Sequence, residues 1–137
     1  MQIKDYMTTD VATLTSDATL AQAREIMTSQ RIRQIPVLSS DGILEGIISK
    51  RDIYGASVSN LTDNYERSKT LLEGRLDVAQ IMTKDVETVQ ADDSLSSAAL
   101  KLQELRVGAL PVLEGNKLVG IISSADFLGI AVMLLEK

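Results

Sequence analysis

Two short elements in this sequence carry a hydroxyl and a carboxylate in the spacing Ser-x-x-Asp. They are Ser49-Lys50-Arg51-Asp52 and Ser123-Ser124-Ala125-Asp126. Each follows an apolar run, Gly46-Ile47-Ile48 or Gly120-Ile121-Ile122, where a strand should give way to a helix. At such a junction Ser is a good N-cap, and an acid in the first turn complements the free N–H groups. The same pair can hold a ligand. An ionised carboxylate has two acceptor oxygens, which suits a vicinal diol. A helix N-terminus also favours phosphate. Capping and ligand binding are compatible.

Charge adds a second signal. Arg31, Arg33, Lys50 and Arg51 make the first half of the chain the more basic one, and the plain reading of Arg33 is a solvated surface charge. The position corresponding to Arg33 in the second half is Gly108, so the halves are not equivalent. Much other chemistry is missing. The chain has no Cys and no His, which removes disulfides, thiolate metal sites and the commonest general base. No nucleophile–base pair, Mg²⁺-site acid spacing or phosphate-cradling glycine motif is visible. The expectation is a binding protein, not an enzyme, with no required cofactor or metal. A net charge of −5 argues against nucleic acid as partner.

The elements that must position these residues occur twice. Met7-Thr8 returns as Met82-Thr83, Asp10-Val11 as Asp85-Val86, Thr13 as Thr88, and Pro36-Val37-Leu38 as Pro111-Val112-Leu113. The two prolines of the chain are equivalent. In each copy a short extended stretch (11–14; 86–89) precedes a helix. Asp17 or Thr19 caps the first helix, and Asp93 or Ser94 the second. Apolar residues recur at helical spacing: Leu20, Ala23 and Met27, then Leu95, Ala98, Leu102 and Leu105. Two apolar runs around a Gly turn then read as a hairpin (35–38 with 43–48; 110–113 with 118–122). A second helix begins at Ser49 or Ser123. The fold class is α/β, a tandem of β-α-β-β-α units: 1–57, then a linker helix over 58–75, then 76–137. The two units are expected to pack as one pseudo-symmetric domain.

Composition fits this scheme. A chain of 137 residues with 45% hydrophobic and 24% charged residues suits a globular protein. With three Tyr and one Phe, the core must be aliphatic. The longest apolar run, 128–135, is too short to span a bilayer, and the N-terminus has no apolar signal region. A cytoplasmic protein is expected.

The stretch 32–38 followed by 46–53 resembles a CBS motif, as does 107–113 followed by 120–127. The resemblance covers roughly 3–57 and 77–135. The whole is similar to small bacterial stand-alone CBS-pair proteins and to the CBS part of acetoin-utilisation proteins. It implies a pseudo-two-fold CBS pair (a Bateman module) that regulates by binding an adenosine-containing ligand in the cleft between the repeats. AMP, ADP or ATP would come first, then S-adenosylmethionine or NAD. It further implies that Asp52 and Asp126 accept from ribose hydroxyls while Ser49 and Ser123 contact sugar or phosphate. Thr13 and Thr88 would line the adenine pocket. Ile35, Ile48, Leu110 and Ile122 would flank the base, although plain core packing also explains them. Arg33 would contact a phosphate held mainly by Ser123 and Asp126, making that site the one for phosphorylated ligands.

The last helix is apolar nearly all round, with Phe127, Leu128, Ile130, Ala131, Val132, Met133, Leu134 and Leu135. Such a helix needs a second partner. A homodimer through the second helices is expected, with a separate effector protein downstream. The alternative is an interaction or dimerisation module whose nucleotide sites are vestigial.

Overall fold

The computed structural model describes residues 1–56 and 75–137. The linker helix expected over 58–75 therefore falls outside the described residues, save its last position. The described elements run β1 (Leu14–Thr15), α1 (Leu20–Gln30), β2 (Gln34–Leu38), β3 (Leu44–Ser49), α2 (Lys50–Ala56), α3 (Val78–Ile81), β4 (Val89–Gln90), α4 (Leu95–Leu105), β5 (Ala109–Glu114), β6 (Lys117–Ser123) and α5 (Ser124–Leu135), with a 3₁₀ turn at Ile3–Asp5. Each three-stranded sheet has a parallel pair and an antiparallel hairpin, in the order β1-β2-β3 and β4-β5-β6.

The helices start where their caps dictate. Thr19, not Asp17, caps α1 in a reciprocal box with Gln22, and Ser94, not Asp93, caps α4. Both helices end on an arginine in the left-handed conformation, Arg31 and Arg106. The hairpins turn through Gly42 and Gly115, whose positive φ values (82° and 64°) favour glycine. The paired strands carry matching irregularities at Val37/Leu38 and Val112/Leu113.

The first strand of each repeat differs from expectation. Pairing is confined to Leu14–Thr15 and Val89–Gln90, so residues 11–13 and 86–88 stand outside the ladder. The chain divides into two units near these stretches. One compact unit comprises Met1–Val11 with Glu87–Lys137, and the other Ala12–Val86. The boundaries fall at 11/12 and 86/87, beside these stretches. Each unit thus takes the leading segment of the other repeat.

Each unit has its own core. In Ala12–Val86 it contains Leu20, Ala23, Met27, Ile35, Val37, Ile48, Ile53 and Val78. In the other it contains Ile3, Leu95, Ala98, Leu102, Leu110, Val112 and Ile122. Leu105, expected on the buried face of its helix, is exposed. It is the last helical residue.

The borrowed segments are clipped on identically. Thr8 and Ile121 exchange both backbone hydrogen bonds at 2.9 Å, and Thr83 and Ile47 do so at 2.9 and 3.0 Å. Beside each clip a methionine lies over a glycine. A Cβ on Gly120 would meet Met7 Sδ at 2.6 Å and the Thr8 carbonyl at 2.8 Å; one on Gly46 would meet Met82 Sδ at 2.8 Å and the Thr83 carbonyl at 2.7 Å. Only glycine permits that approach.

Candidate functional site

Both Ser-x-x-Asp elements sit where a hairpin strand runs into a helix. In the Ala12–Val86 unit, Ser49 N–H donates to Asp52 Oδ2 at 2.9 Å, and Asp52 N–H donates to Ser49 Oγ at 3.0 Å. In the other unit, Ser123 N–H donates to Asp126 Oδ2 at 2.8 Å, and Asp126 N–H donates to Ser123 Oγ at 3.3 Å. Both are capping boxes with Asp in the place usually taken by Glu or Gln. All four side chains are partly buried, so each carboxylate is fixed yet open to solvent.

The second element has two further bonds. Ser123 Oγ–H donates to Asp126 Oδ2 at 3.1 Å, and Thr8 Oγ1–H donates to Asp126 Oδ1 at 3.1 Å. Thr8 belongs to the borrowed segment of the same unit. Sequence reasoning missed it as a site residue. Its only trace was the recurring Met-Thr pair.

The remaining expected residues are four aliphatic side chains, two threonines and Arg33. Ile35, Ile48, Leu110 and Ile122 are at most 1% exposed and belong to the two cores. They form two cross-strand pairs, Ile35 with Ile48 and Leu110 with Ile122. Each pair ends beside its serine. Thr13 is exposed and Thr88 half-buried. Both lie just before their strands, β1 and β4. The Thr88 carbonyl accepts from Lys101 Nζ at 3.1 Å.

Arg33 is exposed and belongs to the unit that contains Ser49 and Asp52, while Ser123 and Asp126 belong to the other. Its carbonyl accepts from Lys50 N–H at 2.8 Å, as the Gly108 carbonyl accepts from Ser124 N–H at 3.0 Å. The two positions are therefore equivalent in backbone, and only one carries a cation. A separate pocket of about 100 Å³ lies against the helices of the Ala12–Val86 unit, lined by Arg24, Met27, Thr28, Lys50, Ile53 and Tyr54. None of the expected site residues lines it.

No helix among the described residues is long and apolar enough to cross a membrane. Helix α5 has no buried residue, although Phe127 and Ile130 pack partly against the core. Leu128, Val132, Met133, Leu134 and Leu135 are exposed.

The sequence model described as CBS domain matches residues 3–59 and 78–132. The homoserine O-acetyltransferase of Methanocorpusculum labreanum is 32% identical over 125 residues, covering 90% of this chain and 23% of that protein. This chain thus spans less than a quarter of the length of those curated relatives. Among solved structures, one described as an acetoin utilization protein (AcuB) from Vibrio cholerae is 32% identical with a TM-score of 0.82, over 99% of this chain and 93% of that one. CBSX2 in complex with AMP is similar at TM-score 0.79 and 23% identity, over 97% of each chain. The CBS domain pair of MJ0100, in complex with 5′-methylthioadenosine and S-adenosylmethionine, is similar at 0.78 and 24%, over 96% of each. At these last two identities the likeness is one of fold.

Proposed function

The chain belongs to the CBS domain family, and on that premise we propose that it is a regulatory module binding an adenosine-containing ligand, with AMP, ADP or ATP foremost. The observation that carries this reading is the repeated Ser–Asp arrangement. Each carboxylate is pinned at a helix N-terminus by its own serine and left open to solvent. That geometry offers acceptors to a sugar and a positive dipole end to a phosphate. The adenosine ligands held by CBSX2 and MJ0100 support the same class.

In this proposal Ser49, Asp52, Ser123 and Asp126 hold sugar and phosphate. Thr13 and Thr88 contact the base. Ile35, Ile48, Leu110 and Ile122 hold the strands beneath it, and Arg33 serves a phosphate. No residue is assigned a catalytic role, and no cofactor is required. The acetyl-transfer chemistry of the longer relatives is not assigned to this chain, which matches only 23% of their length.

Thermal unfolding tests the reading. A ligand that binds only the folded chain, at 100 times its Kd, stabilises it by about 2.7 kcal/mol, which should raise Tm by roughly 5–10 °C. AMP, ADP and ATP are expected to produce such shifts, with S-adenosylmethionine and NAD as comparisons. No shift with any of them would sink the proposal.

The apolar face of α5 favours one addition, a homodimer through the second helices that passes the ligand signal to a separate effector in the cytoplasm. If the Ser–Asp sites are vestigial, this surface is the working part of the molecule and no ligand shift appears.

A further inference from the structure

The two Ser-x-x-Asp elements are alike in sequence and backbone but unlike in how their carboxylates are occupied. An ionised carboxylate has about four acceptor positions, two on each oxygen. At Asp52, Oδ2 accepts from Ser49 N–H, and among the described residues nothing else donates to this carboxylate. Each oxygen keeps a free position, so the two hydroxyls of a vicinal diol can bind side by side, one to each. At Asp126, Oδ2 accepts from both Ser123 N–H and Ser123 Oγ–H, which fills it. Oδ1 accepts from Thr8 Oγ1–H and has one position left. A diol cannot grip both oxygens of Asp126 unless one of the chain's own hydroxyls lets go.

The repeat does not force this difference. Thr83 stands in the place of Thr8, with the same backbone clip to its strand. Yet only Thr8 turns its hydroxyl onto the neighbouring aspartate.

We infer that Thr8 is a specificity-determining residue: by occupying Asp126 it withholds that element from vicinal diols and leaves diol recognition to Ser49 and Asp52. This deepens the adenosine-ligand reading and rests on it. The Ser123/Asp126 element then takes a ligand through its helix N-terminus and a single hydroxyl contact, so it tolerates a sugar lacking the diol. The Ser49/Asp52 element requires the intact diol. Breaking the Thr8 bond removes the occupant of Oδ1 and opens the second element to the diol as well.

Titration calorimetry of the full chain with AMP and with 2′-deoxyadenosine monophosphate tests this. For the native chain, AMP should bind more tightly than the deoxy compound at one site. Asp52→Asn should abolish that preference, and Asp126→Asn should keep it. Thr8→Val removes the hydroxyl but keeps the backbone clip. It should strengthen AMP binding at the second element by about tenfold, the scale of a hydrogen bond to a charged acceptor. Binding of the deoxy compound should stay unchanged. Thr8→Ser, which can restore the bond, should behave like the native chain. A preference that survives in Asp52→Asn, or Thr8→Val titrations equal to or weaker than native, would overturn the inference while leaving adenosine binding intact. If the folded native chain binds neither nucleotide, the adenosine reading itself fails and takes this inference with it.

Discussion

A serine followed three residues later by an aspartate is an ordinary way to begin a helix, and here both copies use it so. What separates the copies is carried by single side chains: Thr8 on Asp126, and Arg33 where the other copy has Gly108. The arginine has a consequence of its own. A guanidinium contributes charge-assisted, forked hydrogen bonds to a phosphate and little to a neutral nucleoside. Arg33→Ala is expected to weaken AMP binding about tenfold or more in calorimetry and to leave adenosine binding nearly unchanged. Equal affinities of the native and altered chains for AMP would remove Arg33 from the site. The serine–aspartate pairs were legible in the sequence because capping is a local arrangement. Thr8 was not, because it meets Asp126 across 118 positions of chain.

Among the elements, the leading segments matter most. Each is fastened near its start by backbone bonds such as Ile3 N–H to the Asp93 carbonyl and Val78 N–H to the Ala18 carbonyl, and at its end by the threonine's reciprocal pair and a methionine seated on a glycine. A methyl group on Gly120 would press on the Thr8 carbonyl, a backbone atom with little freedom to yield. Gly120→Ala should therefore destabilise the fold by about 1–3 kcal/mol, the usual cost of overpacking, in denaturant unfolding. Gly46→Ala should act similarly through Thr83. A stability change within experimental error for both would mean that the clips contribute nothing. The helices and hairpins were readable from period and caps. The first strands were not, because which residues of the stretch find a ladder depends on β2 and β5, which lie far along the chain. The short helices at Ile3–Asp5 and Val78–Ile81 also escaped the sequence reading, being too brief to show a period.

For the whole molecule, the exposed stripe on α5 sets the expectation. Leu128, Val132 and Leu135 are 68%, 53% and 83% exposed, and they share one face of the helix at spacings of four and three residues. A stripe of that kind left in water favours self-association. Light scattering at micromolar concentration is expected to report a dimer. Changing Leu128 and Val132 together to Glu should yield a folded monomer. A native chain that scatters as a monomer would refute the homodimer.

The sequence alone determined that the chain is two copies of one β-α-β-β-α unit, where most helices begin, which runs form hairpins, and that Ser49, Asp52, Ser123 and Asp126 stand at helix starts. All of these follow from interactions within a few residues, which periodicity and capping chemistry report directly. The tertiary structure decided what those signals cannot reach. It decided that each unit is completed by the other repeat's leading segment, that Leu105 is left in water, and that Asp126 is held by Thr8 while Asp52 is not. These depend on chain closure over long separations, where no local pattern records which partner a residue will meet.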